Sequence, residues 1–255
     1  MNLKAPVRVL TENLKIEPYG SALCYPRASE DELEKRIEEL RGHGVTALEF
    51  TGEASVFNLP VLGKGFVGIV AVAHLEEQRL ALKIRRVDAD RAGLEHEAQM
   101  LAKANIVQVG PKLVGVSKNF LLMQLVDGCF LPTWLSLQSE KEVVHVVLSE
   151  VLEQCWRLDI IGLDHGELSK APKHIIIDKQ DNPFIIDFET ASLDRRPANV
   201  TSACQFFFTS QGAVAKAIMD VNGEINRAEA IDALRRYKNE RKRDNFDDIL
   251  RVCLG

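Results

Sequence analysis

The chain has 255 residues, 46% of them hydrophobic and 27% charged, which suits one large globular domain or two small ones. A net charge of −5 argues against wholesale nucleic-acid binding while leaving local basic patches open. Five cysteines (Cys24, Cys129, Cys155, Cys204 and Cys253) form no C-x-x-C pair, which excludes a dense disulfide scaffold and a cysteine-rich zinc site.

In chain order, the N-terminus lacks the apolar stretch of a secretion signal. No later run reaches the ~18 apolar residues of a membrane span. With free thiols suited to a reducing compartment, the expectation is a cytoplasmic protein without a membrane partner. Residues 1–28, with Pro6, Pro18, Gly20 and Pro26, read as irregular. Ser29 and Glu32 then make an S-x-x-E capping box, each side chain meeting an orphan backbone N–H. Leu33, Ile37 and Leu40 give that helix one buried stripe, and Gly42 and Gly44 stop it.

From residue 45 the period shortens. Short runs rich in strand formers cover 45–50, 59–62, 68–74 and 80–85, with the polar tip Glu76-Glu77-Gln78 predicting a hairpin. A helix is predicted over 90–104, then strands over 112–116 and 120–126. Asp127-Gly128 marks a break. Beyond it come a helix over 140–157, a loop over 162–174, a hairpin over 174–187, and helices after about 209. A β-rich half followed by a helical half is an α+β, two-lobed pattern. The expected segments are an N-terminal extension with one amphipathic helix (1–50), a β-rich lobe (51–127) and a reduced helical lobe (128–255).

Several strings carry chemistry. Residues 63–70 read G-K-G-F-V-G-I-V. Gly63, Gly65 and Gly68 allow a tight turn and close backbone approach to phosphate. A strand, not a helix, follows them, so a dinucleotide fingerprint is excluded and a strand–turn–strand flap is expected. Ala81-Leu82-Lys83-Ile84 places a lysine among apolar strand residues, close to the V-A-I-K type of string. An edge lysine that discourages sheet pairing would look the same. In the helix over 90–104, Glu95 and Glu97 lie two apart and cannot face the same way. Glu97 is taken as the partner of Lys83 and Glu95 as a surface charge. Leu163-Asp164-His165-Gly166-Glu167-Leu168 precedes Lys173-His174 and an apolar strand, and Phe184-Ile185-Ile186-Asp187-Phe188-Glu189 follows. An aspartate at a strand end is badly placed for a core and well placed to hold a metal ion beneath phosphates.

The order flap, lysine, helix glutamate, H-G-E-L, D-F-E resembles the protein-kinase superfamily. It is most similar to the small archaeal and prokaryotic RIO-like serine/threonine kinases, whose catalytic loop begins H-G-D-L. The resemblance spans roughly residues 59–208. It implies a bilobal kinase-like fold, ATP with Mg²⁺ or Mn²⁺ as cofactors, and phosphoryl transfer to a protein partner or to the chain itself. Under it Gly63, Lys64, Gly65 and Gly68 cover the phosphates, and Lys83 contacts them, held by Glu97. Val70, Ala81, Met123, Gln124 and Val126 line the nucleotide pocket, with backbone groups of 124–126 on the adenine edge. Glu167 orients the acceptor, and Asp187 with His174 holds metal.

Three departures qualify this. Glu167 replaces the family's catalytic-loop aspartate, His174 its metal-binding asparagine, and Glu189 the third residue of D-F-G. Glu167 lies seven residues before His174, against five in the kinase pattern, so a longer loop containing Pro172 is expected to offset the longer side chain. Imidazole suits transition metals better than Mg²⁺, so Mn²⁺ is expected to serve at least as well. A nucleotide-binding pseudokinase or scaffold, and an RNA-linked or small-molecule kinase or ATPase, remain alternatives. The basic run over 235–243 is either a solvated helix face or a patch for RNA.

Overall fold

The computed structural model describes residues 5–255, apart from the side chains of residues 170–172. The chain is mixed α+β and divides into two units, residues 1–99 with 112–125, and residues 100–111 with 126–255.

In the first unit, β1 (Val7–Leu10), a 3-10 turn (Thr11–Asn13), α1 (Tyr19–Leu23) and α2 (Glu30–Gly42) come first. Next are β2 (Ala47–Phe50), β3 (Ala54–Val56), β4 (Leu59–Val61), β5 (Gly63–Lys64), β6 (Gly68–Leu75) and β7 (Gln78–Arg85). α3 (Glu95–Ile106), β8 (Leu113–Val116) and β9 (Phe120–Gln124) follow. The sheet order is β1-β2-β6-β7-β9-β8, with β5 paired to β6. The segment expected as an extension with one helix therefore also supplies two strands, and residues 1–28 are not irregular throughout. Val7 to Leu10 pair antiparallel with Phe50 to Ala47. A four-residue strand stabilised by a distant partner has too little periodicity of its own to be seen.

Ser29 caps α2 as expected, its Oγ accepting from Glu32 N at 3.4 Å. The reciprocal half of the capping box is replaced, because the Glu32 carboxylate accepts from Arg36 Nε at 2.8 Å. Arg36 lies beside Ile37 and Leu40 on the buried side of α2. It donates to the carbonyls of Leu23 (2.8 Å) and Arg85 (2.6 Å) and to Asn119 Oδ1 (3.2 Å). Such a buried cation is tolerated because its donors are met.

β6 and β7 are buried on both faces, which explains their nearly continuous apolar runs. Alternation still sorts them. Ile69, Ala71, Ala73, Leu80, Leu82, Ile84, Phe120 and Leu122 join the core with Leu23, Ile37 and Leu40. The intervening residues face the other side, where Val67 and Leu121 pack with Leu94 and Ala98. Lys83 lies opposite Val70 and Leu121, and Ala81 opposite Met123. Gly68, Val70, Ala81, Lys83 and Met123 thus share this second face.

The second unit contains β10 (Gly128–Phe130), α4 (Leu131–Leu137), α5 (Lys141–Ile160), a 3-10 turn (Leu168–Lys173), β11 (Ile175–Asp178) and β12 (Pro183–Ile185). Then come α6 (Asn199–Cys204), a wide helical turn (Gln205–Thr209), α7 (Ala213–Asn222), α8 (Arg227–Asn239) and α9 (Arg243–Leu254). The expected hairpin is β11–β12, extended to three strands by β10. α5 buries Val144, Val147, Leu148, Val151, Leu152, Cys155 and Leu158 at helical spacing. Val200, Ala203, Cys204, Phe207 and Phe208 are buried as well.

Candidate functional site

In the first unit, the glycine-rich turn joins β5 to β6, with Gly63 opposite Val70 and Lys64 opposite Ile69. The expected strand–turn–strand flap is present. None of Gly63, Gly65 and Gly68 has a left-handed φ. What demands glycine is crowding at Gly68, where an added Cβ would lie 2.8 Å from the Ile84 carbonyl oxygen and 3.1 Å from Lys83 Cγ. Arg86 braces the turn by donating from Nη1 to the Gly65 carbonyl at 3.2 Å. Phe66, at the tip, is 93% exposed. The Lys64 ammonium stacks 4.9 Å above the Tyr25 ring, so a phosphate contact from Lys64 would compete with that stacking.

Lys83 and Glu97 form an ion pair of 2.8 Å, with side-chain exposures of 8% and 5%. Sheet alternation turns Lys83 toward the face that Leu94 and Ala98 cover, and Glu97 stands between those two residues in sequence. Glu95 is exposed, as expected. Burial makes the pair expensive unless both charges are matched, because each ion has lost its water. Met123 is partly buried against Val67, Leu94, Ala98 and Leu121. Gln124 is engaged with Lys112. Its backbone N–H donates to the Lys112 carbonyl at 2.8 Å, and its side-chain Oε1 accepts from Lys112 N at 3.2 Å. That N–H is committed to the sheet. Val126 lies outside β9 and belongs to the second unit.

In the second unit, the loop carrying Glu167 is held from beneath. Asn199 Oδ1 accepts from His165 N (2.9 Å), and Asn199 Nδ2 donates to the Leu163 carbonyl (2.7 Å) and to Asp159 Oδ1 (2.8 Å). Asp159 also accepts from the Tyr237 hydroxyl at 2.9 Å. Its carboxyl is pushed above the usual range by burial, against the pull of these donors. Arg195 Nε donates to Asp164 Oδ2 (2.8 Å), and Thr190 Oγ1 to the His165 carbonyl (3.0 Å). Gly166 is needed where it stands, with φ +87° and the Arg195 guanidinium 2.5 Å from where a Cβ would be.

His165 is fully buried, its ring 5.1 Å from that of Phe188. Nε2 lies 3.0 Å from the Ile186 carbonyl, so it carries the proton and donates. Burial pushes the imidazole down to about 4, with the neighbouring His174 contributing in the same direction. The backbone carbonyl of His174, just before β11, accepts from Ile186 N at 2.9 Å. Its Nε2 lies 3.1 Å from Glu167 Oε2, and its Nδ1 lies 3.7 Å from Asp187 Oδ2. The two carboxylates are each about one-third exposed (31% and 33%), and the imidazole is 9% exposed. Asp187 adopts φ +69°, a left-handed conformation that costs a non-glycine residue energy and that clusters at functional positions. The structure brings Glu167, His174 and Asp187 together as one group. The compensation assigned to Pro172 falls outside the described side chains.

Sequence reading missed Asp159, Asn199, Tyr237, Thr190 and Arg195. Only Asp159 left a signal, a carboxylate four residues beyond Cys155 on the apolar stripe of α5.

The basic run over 235–243 is largely occupied. Arg235 pairs with Asp232 (3.2 Å), Arg236 with Asp248 (3.3 Å) and Lys242 with Glu240 (2.5 Å). Arg241 donates to the Pro197 carbonyl, and Arg243 grips both oxygens of Glu153 (2.9 and 2.7 Å). Among the described residues no helix is long and apolar enough to cross a membrane. Cys24, Cys155, Cys204 and Cys253 are buried free thiols, and Cys129 is half-buried.

No protein-family model matches the chain. Over 98 residues, 38% of this chain, it is 29% identical to an uncharacterised protein of Methanocaldococcus jannaschii, of which the match covers 81%.

Proposed function

We propose that the chain binds ATP and transfers its terminal phosphoryl group, as a kinase of the atypical, RIO-like kind with a bilobal kinase-like fold. The observation that carries this reading is the buried Lys83–Glu97 pair of 2.8 Å, on the sheet face beside Gly68. A buried ion pair is a poor stability device, since an apolar pair of like volume often does as well or better. Its retention is accounted for by a lysine that must stay charged and fixed in order to meet phosphates. In this reading Gly63, Gly65 and Gly68 cover the phosphates, Lys83 contacts them and Glu97 holds Lys83.

The kinase resemblance calls for a divalent ion, and the residues present suit one. Asp187 offers a carboxylate, and the neighbouring His174 Nδ1 is buried without a hydrogen-bond partner among the described residues. An ion held there would neutralise phosphate charge. Glu167 carries two oxygens. Oε2 faces His174, and the other can orient an acceptor hydroxyl, which suffices where transfer depends on positioning more than on a strong base. The acceptor we assign is a serine or threonine of the chain itself or of a protein partner. The free thiols fit a reducing, cytoplasmic setting.

A second reading, nucleotide binding without transfer, is favoured by the 3.1 Å contact that ties Glu167 to His174. Incubation with radiolabelled ATP decides between them. Phosphoryl transfer that disappears in both Lys83→Ala and Asp187→Ala is expected. Transfer that persists in Asp187→Ala overturns the assignment. ATP-dependent stabilisation with no transfer selects the second reading, and at 100 times Kd that stabilisation is about 2.7 kcal/mol.

A further inference from the structure

The strand at one edge of the first unit's sheet, β8, is hydrogen-bonded on one side only, to β9. An open edge of this kind offers a row of backbone groups to any extended segment able to pair with it. Exposure alternates along it. Lys112, Val114, Val116 and Lys118 are exposed, and Leu113, Gly115 and Ser117 between them are half-buried. Val114 and Val116 are 49% and 36% exposed. Two exposed β-branched side chains on a strand with an open edge are what a further strand packs against. The ladder to β9 shifts register between Leu113 and Gly115, so Val114 has no register partner there. Lys112 and Lys118 form no side-chain ion pair among the described residues. Glu39, which reaches the Lys118 end of the strand, has both carboxylate oxygens taken by Asn119, from N and from Nδ2, each at 2.8 Å.

We propose that β8 takes up, as an added antiparallel strand, an acidic extended segment of a partner protein, with apolar residues at alternate positions and a carboxylate at each end. Charge decides the occupant. A second copy paired antiparallel about Gly115 sets Lys112 of each chain against Lys118 of the other, and like charges directly opposite destabilise a ladder. The same two lysines favour carboxylates, roughly 20 Å apart on the bound strand at the usual rise per residue. Main-chain hydrogen bonds supply the affinity, while Val114, Val116 and the two lysines select the sequence. Neither nucleotide nor phosphoryl transfer enters this inference, so it and the kinase reading can fail separately.

The test uses the full chain without nucleotide and a fluorescein-labelled peptide, Glu-Thr-Val-Thr-Val-Thr-Glu, in fluorescence anisotropy at low ionic strength. Saturable one-to-one binding is expected, about tenfold tighter than for the same peptide with lysine at both ends, the scale of two cross-strand charge pairs. The double variant Lys112→Glu/Lys118→Glu should reverse that preference, and circular dichroism establishes that it remains folded. N-methylation of the peptide separates strand addition from charge attraction, because it removes main-chain donors and leaves the charges. Methylation of one alternate set of residues, the threonines or the valines, should abolish binding, since one set points at β8. No saturable binding, equal affinity of the parent for the two peptides, or undiminished binding of both methylated peptides would overturn the proposal. An unchanged preference in the charge-reversed variant would overturn it as well. A parent chain that sediments as a dimer, dissociated by Val116→Asp, would give the edge to a second copy instead. Peptide binding that behaves as expected beside a failure to bind ATP would leave this inference standing and remove the nucleotide reading.

Discussion

The two chemically loaded regions differ in how far they are buried. Lys83 and Glu97 are an ion pair, both buried and 2.8 Å apart. Glu167, His174 and Asp187 are two carboxylates around one imidazole, with the carboxylates partly open to solvent.

Breaking the pair in the first region should have the largest effect. Lys83→Ala or Glu97→Ala removes one partner of a buried ion pair and should cost about 3–5 kcal/mol in urea denaturation. Lys83→Met combined with Glu97→Leu should recover most of that loss while ATP no longer shifts the melting temperature. Failure of the double variant to regain stability would mean that the pair contributes to the fold in its own right.

The second region should respond to acid. His165 sits near 4 in the folded protein, held down chiefly by burial, against about 6.5 for an unfolded histidine. The unfolded chain takes up the proton first, so stability is intact above pH ~6.5 and declines as pH falls toward 4. At about 1.36 kcal/mol per pKa unit, the loss across that window approaches roughly 3 kcal/mol. His165→Gln can still donate to the Ile186 carbonyl but does not titrate. Denaturation midpoints between pH 7 and 4 should slope less steeply in that variant, and an identical slope would assign the acid sensitivity elsewhere.

A smaller effect is expected from the support beneath the second region. Tyr237→Phe removes a hydroxyl that donates to the buried Asp159 carboxylate. The expected cost is about 1.5–3 kcal/mol by denaturation, the usual range for hydrogen bonds to charged groups. Smallest is Glu167→Asp, which shortens the reach toward His174. Phosphoryl transfer in that variant should be equal to or lower than in the parent, and a clear gain would show that the glutamate is not adapted to its loop.

Much of this was legible in the residues. The hairpin over β6 and β7 announced itself through strand formers around a polar tip, and Glu76 at that tip has φ +51°. The alternation in 80–85 placed Lys83 on the face away from Leu82 and Ile84, and Ser29 marked the start of α2 correctly. The strand at 7–10 was not legible, nor the strand at 128–130, because each is stabilised by a partner far along the chain. The start of α3 was placed too early, at 90 against Glu95, since apolar spacing continued into a segment that does not close helical hydrogen bonds. The committed N–H of Gln124 was equally hidden, because its acceptor at Lys112 belongs to a neighbouring strand.

Residue types and their order determined which groups could do chemistry: a lysine in an apolar strand, a helix glutamate, two carboxylates and a histidine near strand ends. Distance in space was decided only by the tertiary structure. It selected Glu97 for Lys83, turned His174 between Glu167 and Asp187, buried Arg36 within reach of four acceptors, and joined Asp159, Asn199 and Tyr237 beneath the 163–167 loop. The physical reason is that periodicity is a property of neighbours along the chain. The cost of an unpaired buried charge, by contrast, is met by whichever residue the packed core brings close.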